Sequence, residues 1–189
     1  SAERHDAPDG TEATVASQVV GPFLLTGLLL ERLATSAPSR VITMSSGGMY
    51  TAPLMVSGLE MAADEYKGAE QYARAKRAQV TLTEVWAERF GRLGVYFHSL
   101  HPGWADTPGV EESLPGFYRL MKDRLRTPAE GADTVVWLAA AEAARHHDGR
   151  FFFDRVPRSP YWLPWTRESA GDRRRLWRRC EAAVSGYLG

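Results

Sequence analysis

Three short runs rich in β-branched and aromatic residues, separated by long helical stretches, constrain this 189-residue chain more than any other feature. They are "SRVITMSS" at 39–46, "LGVYFHSLHPG" at 93–103 and "GRFFFDR" at 149–155. The segments between them carry apolar residues at helical spacing, so the order reads helix then strand three times over, with a final helix. Strands alternating with helices join a parallel sheet covered by helices on both faces, through right-handed crossovers. The expected fold class is therefore α/β with a doubly wound parallel sheet. Ligands on such sheets gather at the carboxyl ends of the strands. Here those ends are Ser45–Ser46, His101–Pro102–Gly103 and the residues from Asp154 onward.

Local signals place the elements. A helical pattern runs from about 11 to 34, with Pro22 as a kink or boundary. A second helix covers 70–91 and is closed by Gly91. Thr127-Pro128-Ala129-Glu130 starts a third, with Thr at the cap, Pro at the first position and Glu three residues after the cap. That helix is expected to reach about Arg145, and the last one spans 168–187. The loop of some twenty residues after the first strand is long for a compact domain, which favours a functional role. One domain, 1–189, is expected: a polar lead-in at 1–10, a core at 11–165 and a C-terminal helix at 166–189.

Composition narrows the partners. Lys plus Arg equals Asp plus Glu at 23 each, so no overall field attracts nucleic acid. The stretch "DRRRLWRR" spreads Arg173, Arg174, Arg175, Arg178 and Arg179 over several helix faces beside acids, which reads as a solvated helix rather than a nucleic-acid site. The apolar run "VVGPFLLTGLLL" at 19–30 falls short of the roughly 20 residues that span a bilayer. A helix packed on both sides, with no membrane span, is expected. The single Cys180 permits no internal disulfide and fits a reducing compartment. No signal-peptide pattern is present, so the expected location is cytoplasmic. His146–His147 is a weak metal candidate without zinc-type spacing, and no metal is expected.

Of the 23 basic residues 20 are Arg, and the only Lys are Lys67, Lys76 and Lys122. Lys76 stands four residues after Tyr72, so the two share a helix face. A free Tyr has a pKa of about 10, and a nearby ammonium favours the phenolate. A Tyr tuned in this way exchanges a proton with a carbonyl or alcohol oxygen near neutral pH. Lys suits that place because its compact, rotatable ammonium also donates to a cofactor ribose, unlike planar guanidinium.

"RVITMSSGGMY", then "YARAK", then "HPGWADTPG" resemble the short-chain dehydrogenase/reductases, and "GRFFFDR" adds likeness to their retinol-dehydrogenase-like branch. The resemblance runs from about Val15 to Leu163. It implies a Rossmann-like sheet and hydride transfer between NAD or NADP and a carbonyl or alcohol. By position it implies that Ser46 bonds the substrate oxygen and Tyr72 is the proton donor or acceptor. Lys76 would hold the nicotinamide ribose and lower the Tyr pKa. Pro102, Gly103 and Trp104 would form the turn bordering the nicotinamide, and Thr107 would bond the cofactor. The family's helix-pair dimer is implied too, through residues 19–30 with Val80, Val85 and Trp86. The aromatic stretch "SPYWLPWTRE", with Trp162 and Trp165, suggests an apolar substrate or a subunit contact.

Two features depart from the family pattern. Gln18 stands where the family has a catalytic Asn. The Gly-rich phosphate loop, the strands that carry it and the "NNAG" segment have no counterpart in this sequence. The expectation is a C-terminal part of a longer enzyme, with the first strand left at an open edge. The alternatives are a non-catalytic relative serving as a scaffold and an Arg-helix binding protein.

Overall fold

The computed structural model describes residues 3–113, 115–162 and 167–187. A continuous helical rod, α1 (Ala13–Thr35), opens the fold. Its start is capped by the buried Glu12, whose carboxylate accepts from the Val15 amide at 2.9 Å. Residues Ala16–Val20 form a π-helical turn just before Pro22. Proline supplies no N–H to the carbonyl four residues back and its ring crowds that carbonyl, so a widened turn ahead of it is the physical form of the expected kink.

The sheet holds β1 (Ser39–Met44), β2 (Val95–Leu100), β3 (Phe151–Phe153) and β4 (Val156–Arg158), in the order β1-β2-β3-β4. β1 and β2 are parallel with Ser39 opposite Val95, and β2 and β3 are parallel with Leu100 opposite Phe152. β4 was not expected. It folds back antiparallel on β3 through Asp154 and Arg155, whose φ values of 52° and 59° fit a two-residue hairpin turn. Among the described residues β1 has one open edge, which agrees with the sequence expectation.

Both faces of β2 are buried, the polar His98 and Ser99 included, as expected of a central parallel strand. Val95 and Phe97 join one core with α1, α2 (Gly68–Phe90) and α6 (Ala170–Val184). Leu100 joins a second with Phe152 and with Leu138 of α5 (Pro128–Ala140). At the centre of the first, the Trp86 ring lies 4.7 Å from Trp177, 5.0 Å from Phe23 and 5.8 Å from Phe97. Such pairs add about 0.5–1.5 kcal/mol each beyond area burial. The short helices α3 (Pro108–Ser113) and α4 (Pro115–Met121) connect β2 to α5.

Several expectations change. The capping box of α5 is present, with the Thr127 amide donating to Glu130 at 2.8 Å and the Glu130 amide to Thr127 at 3.2 Å. The helix stops at Ala140 rather than Arg145, where Arg40 donates to the carbonyls of Ala139 and Ala141 and so satisfies its open end. Helix α6 is not a solvated helix: Leu176, Trp177, Cys180 and Val184 are buried, and Arg173 and Arg179 pair with Glu88 and Glu60. The apolar run of α1 is packed on one side only, with Leu25, Leu28 and Leu29 at 58%, 56% and 44% exposure. The rod as a whole is long and apolar enough to cross a membrane by length and composition, a test that helices of soluble cores also pass. Val80, Val85 and Trp86 are buried within the chain, so they offer no surface to a dimer.

Candidate active site

The site assembles where β1 and β2 end. The Ser45 amide still bonds Leu100, and its hydroxyl donates to the Lys76 carbonyl at 3.0 Å, tying the strand end to α2. Side chains alternate along an extended chain, so Ser46 turns the other way. Its hydroxyl oxygen caps the following turn by accepting from the Gly48 amide at 3.1 Å. A Cβ at Gly48 would lie 3.5 Å from that oxygen and 3.8 Å from the Tyr72 ring, so the Ser and Tyr side chains flank one small space. Tyr72 is 38% exposed on the first turns of α2.

One turn further on, the Lys76 Nζ sits 5.3 Å from the centre of the Tyr72 ring. It donates to the Met44 carbonyl at 2.9 Å and to Gln79 Oε1 at 3.2 Å. Burial lowers its pKa from 10.5 to about 8. The Gln79 amide in turn donates to the Gln18 carbonyl at 2.6 Å. That is the carbonyl that Pro22 deprives of its α-helical partner. Gln18 therefore enters the site by its backbone, through Gln79, while its side-chain Oε1 is buried with no hydrogen-bond partner.

At the end of β2, His101 accepts from two amides at one atom. Nδ1 receives Gly47 at 3.0 Å and Gly103 at 3.3 Å. Gly103 has φ +84°, a left-handed conformation open to glycine, and a Cβ there would come within 2.7 Å of Arg126. The chain then leaves through Trp104, which is 45% exposed, and the Thr107 carbonyl accepts the Val110 amide at the start of α3. Ser46, Tyr72 and Lys76 thus come together with the Gln18 backbone, and His101 links them to the Pro102–Gly103 turn. Trp104 and Thr107 follow on the outgoing segment. Trp165 lies outside the described residues, whereas Trp162 packs edge-on against Tyr50 with ring centres 5.5 Å apart.

Gln79 and His101 were missed as site residues. Both stand beside singled-out ones, Gln79 three after Lys76 and His101 just before Pro102, but their partners are far away in sequence.

The arrangement offers two hydroxyls to one substrate oxygen, with an ammonium behind the phenol. Of the three N–H groups on Lys76, two have partners and one is left for a ribose hydroxyl. The nicotinamide-ribose side of a dinucleotide fits these residues. The Gly47–Gly48 turn after β1 opens a single 3-10 turn, Gly47–Thr51, and among the described residues no Gly-rich turn leads from a strand into an α-helix whose N-terminus could cradle a pyrophosphate.

No family model matches the chain. Over 160 residues it is 44% identical to dehydrogenase/reductase SDR family member 12 of Homo sapiens, covering 84% of this chain and 50% of that protein. To retinol dehydrogenase 12 of Homo sapiens it is 34% identical over 148 residues, or 77% and 46% of the two chains. Among solved structures, an uncharacterised protein from Mycobacterium paratuberculosis superposes with a TM-score of 0.72 at 21% identity, covering 96% of this chain and 62% of that one. 4-Hydroxyisoleucine dehydrogenase, solved in complex with NADH, gives 0.54 at 24%, covering 73% and 54%. These two show a shared fold. The chain spans about half the length of the curated relatives it matches. By sequence, it belongs to the short-chain dehydrogenase/reductase family.

Proposed function

We propose that the chain carries the proton-transfer and nicotinamide-side half of an NAD- or NADP-dependent oxidoreductase that interconverts a carbonyl and an alcohol. The observation that carries this reading is the packing of Ser46 and Tyr72 on either side of Gly48, with the buried Lys76 ammonium one turn behind. Ser46 donates to the substrate oxygen and orients it. Tyr72 gives its phenolic proton to that oxygen during reduction and takes it back during oxidation. Lys76 holds the nicotinamide ribose with its remaining N–H, and the Pro102–Gly103 turn with Trp104 and Thr107 borders the ring. The nicotinamide, when bound, supplies or accepts the hydride. The pyrophosphate and adenine require a Gly-rich half that these residues do not contain. The aromatic pair Tyr50 and Trp162, on the loop after Ser46 and the segment after β4, is the chain's contribution to an apolar substrate surface in this proposal.

A second reading, a non-catalytic relative that keeps the fold as a scaffold, draws on one observation: the Gln18 side-chain Oε1 is buried without a hydrogen-bond partner. Tyr72→Phe separates the two. With NADH or NADPH and a panel of apolar aldehydes and ketones, followed by nicotinamide absorbance, the oxidoreductase reading predicts a 10²–10⁴-fold loss of kcat. Carbonyl reduction that is unaffected by this change would contradict it. Absent turnover alone is expected of residues without the Gly-rich half; a folded wild type that also fails to bind reduced nicotinamide mononucleotide would favour the scaffold.

A further inference from the structure

The imidazole of His101, at the end of β2, makes contacts to which its place in the "HPG" run assigns no role. Its Nδ1 accepts from Gly47, on the loop that follows Ser46, and from Gly103, on the turn that follows β2. One lone pair thus joins the end of one strand to the end of its neighbour, on either side of the space flanked by Ser46 and Tyr72. The ring is fixed there by Phe153, stacked at 5.0 Å and 16°. Gly47 permits the approach, since a Cβ at that position would lie 2.9 Å from Nε2.

We propose that His101 is a positioning residue that, as a neutral imidazole, holds the Ser46 loop to the Pro102–Gly103 turn, and that protonation of Nδ1 releases both and opens the site at acid pH. This rests on the oxidoreductase reading for its consequence in catalysis, though not for its geometry. An imidazole whose Nδ1 accepts must carry its proton on Nε2, whereas the imidazolium is a donor at both nitrogens. Protonation therefore sets three donors against one another and strands two backbone amides. A buried amide without a partner costs roughly 1–3 kcal/mol.

The charged groups around the ring act in opposite senses, and the lowering ones prevail. The Ser46–Gly48 loop contributes none. Arg126, from the segment ahead of α5, and Asp154, from the β3–β4 turn, face the ring and pair with each other at 2.6 and 2.8 Å. Lys76, on α2, is turned to Met44 and Gln79. Burial lowers the His101 pKa below 6.5, Arg126 lowers it further, and Asp154 opposes them. The folded value lies below the unfolded one, so the clamp contributes stability above pH 6.5 that is lost as pH falls through the folded pKa.

The test is an amide NMR titration of the ¹⁵N-labelled 189-residue chain from pH 8 to pH 4.5, with His101→Asn and His101→Phe alongside. The Gly47 and Gly103 amides of wild type should shift together with one midpoint below 6.5, shared by the His101 ring, whose nitrogens should report the Nε2–H tautomer at neutral pH. His101→Asn offers an oxygen close to the place of Nδ1. It should keep both amides hydrogen-bonded and remove their titration, and in an active preparation it should flatten the acid limb of kcat/KM. His101→Phe should lose both bonds at every pH; if it does not fold, wild type and His101→Asn decide the matter. Amides that titrate with different midpoints, ignore the His101 titration, or meet an Nδ1–H tautomer would overturn the proposal. No turnover is needed for this readout, so its failure and that of the oxidoreductase reading are separate events.

Discussion

Lys76 is 9% exposed, its ammonium lying between the Met44 carbonyl and the Gln79 amide, with its pKa lowered from 10.5 to about 8 by burial. Folding therefore disfavours its charged form, by on the order of 3 kcal/mol relative to the neutral amine. Below pH 8 this cost is fully present, and it disappears as pH rises to the unfolded value of 10.5. Urea unfolding of wild type and Lys76→Met should thus show the difference between them moving in favour of wild type by roughly 3 kcal/mol over that interval. A constant difference would mean that the ammonium is well solvated. At this scale Tyr72 and Lys76 were legible because helical spacing alone puts them on one face. Gln79 and His101 were not, because each acts on a backbone group brought near only by folding: the Gln18 carbonyl lies 61 residues from Gln79, and the Gly47 amide 54 from His101.

Arg77, the residue after Lys76, points away from the site and joins two elements. It pairs with Glu168, donates to the Pro160 carbonyl and lies 4.6 Å from the Tyr161 ring, so it fastens the segment after β4 to α2. Both side chains of the pair are nearly dry, at 5% and 2% exposure. Arg77→Met should cost about 3–5 kcal/mol in chemical denaturation, because Glu168 would stay buried without its partner. A loss below about 1 kcal/mol would mean that the segment lifts off and hydrates the carboxylate. The elements read best from sequence were those with strong local rules: the Thr127 capping box, the helical period of α2 and the β-branched and aromatic start of β2. β4 escaped because three residues around Pro157 carry no period, and Pro is at home on an edge strand. The end of α5 escaped because Arg40, about a hundred residues away, sets it.

Among the described residues the molecule has an open edge at β1 and an uncovered apolar face on α1, while α2, α5 and α6 each bury residues in a shared core. Leu28→Arg, on that face, should leave the unfolding free energy of this chain within about 0.5 kcal/mol, as a surface change does. A loss above 2 kcal/mol would mean that the face is packed in solution. The alternation of strands and helices made the sheet legible, and the uncovered side of α1 was not, because an apolar run looks the same whether or not a neighbour covers it. On the function proposed above, these residues would form the nicotinamide side of a dinucleotide site and leave the adenine side to elements not among them. The most direct measurement is an amide NMR titration of the chain with reduced nicotinamide mononucleotide and, separately, with AMP. Saturable shifts at Lys76 and Gly103 with the nicotinamide nucleotide, weakened in Lys76→Met, with none from AMP, are the predicted result. Shifts with AMP alone, or a folded chain that responds to neither, would contradict it.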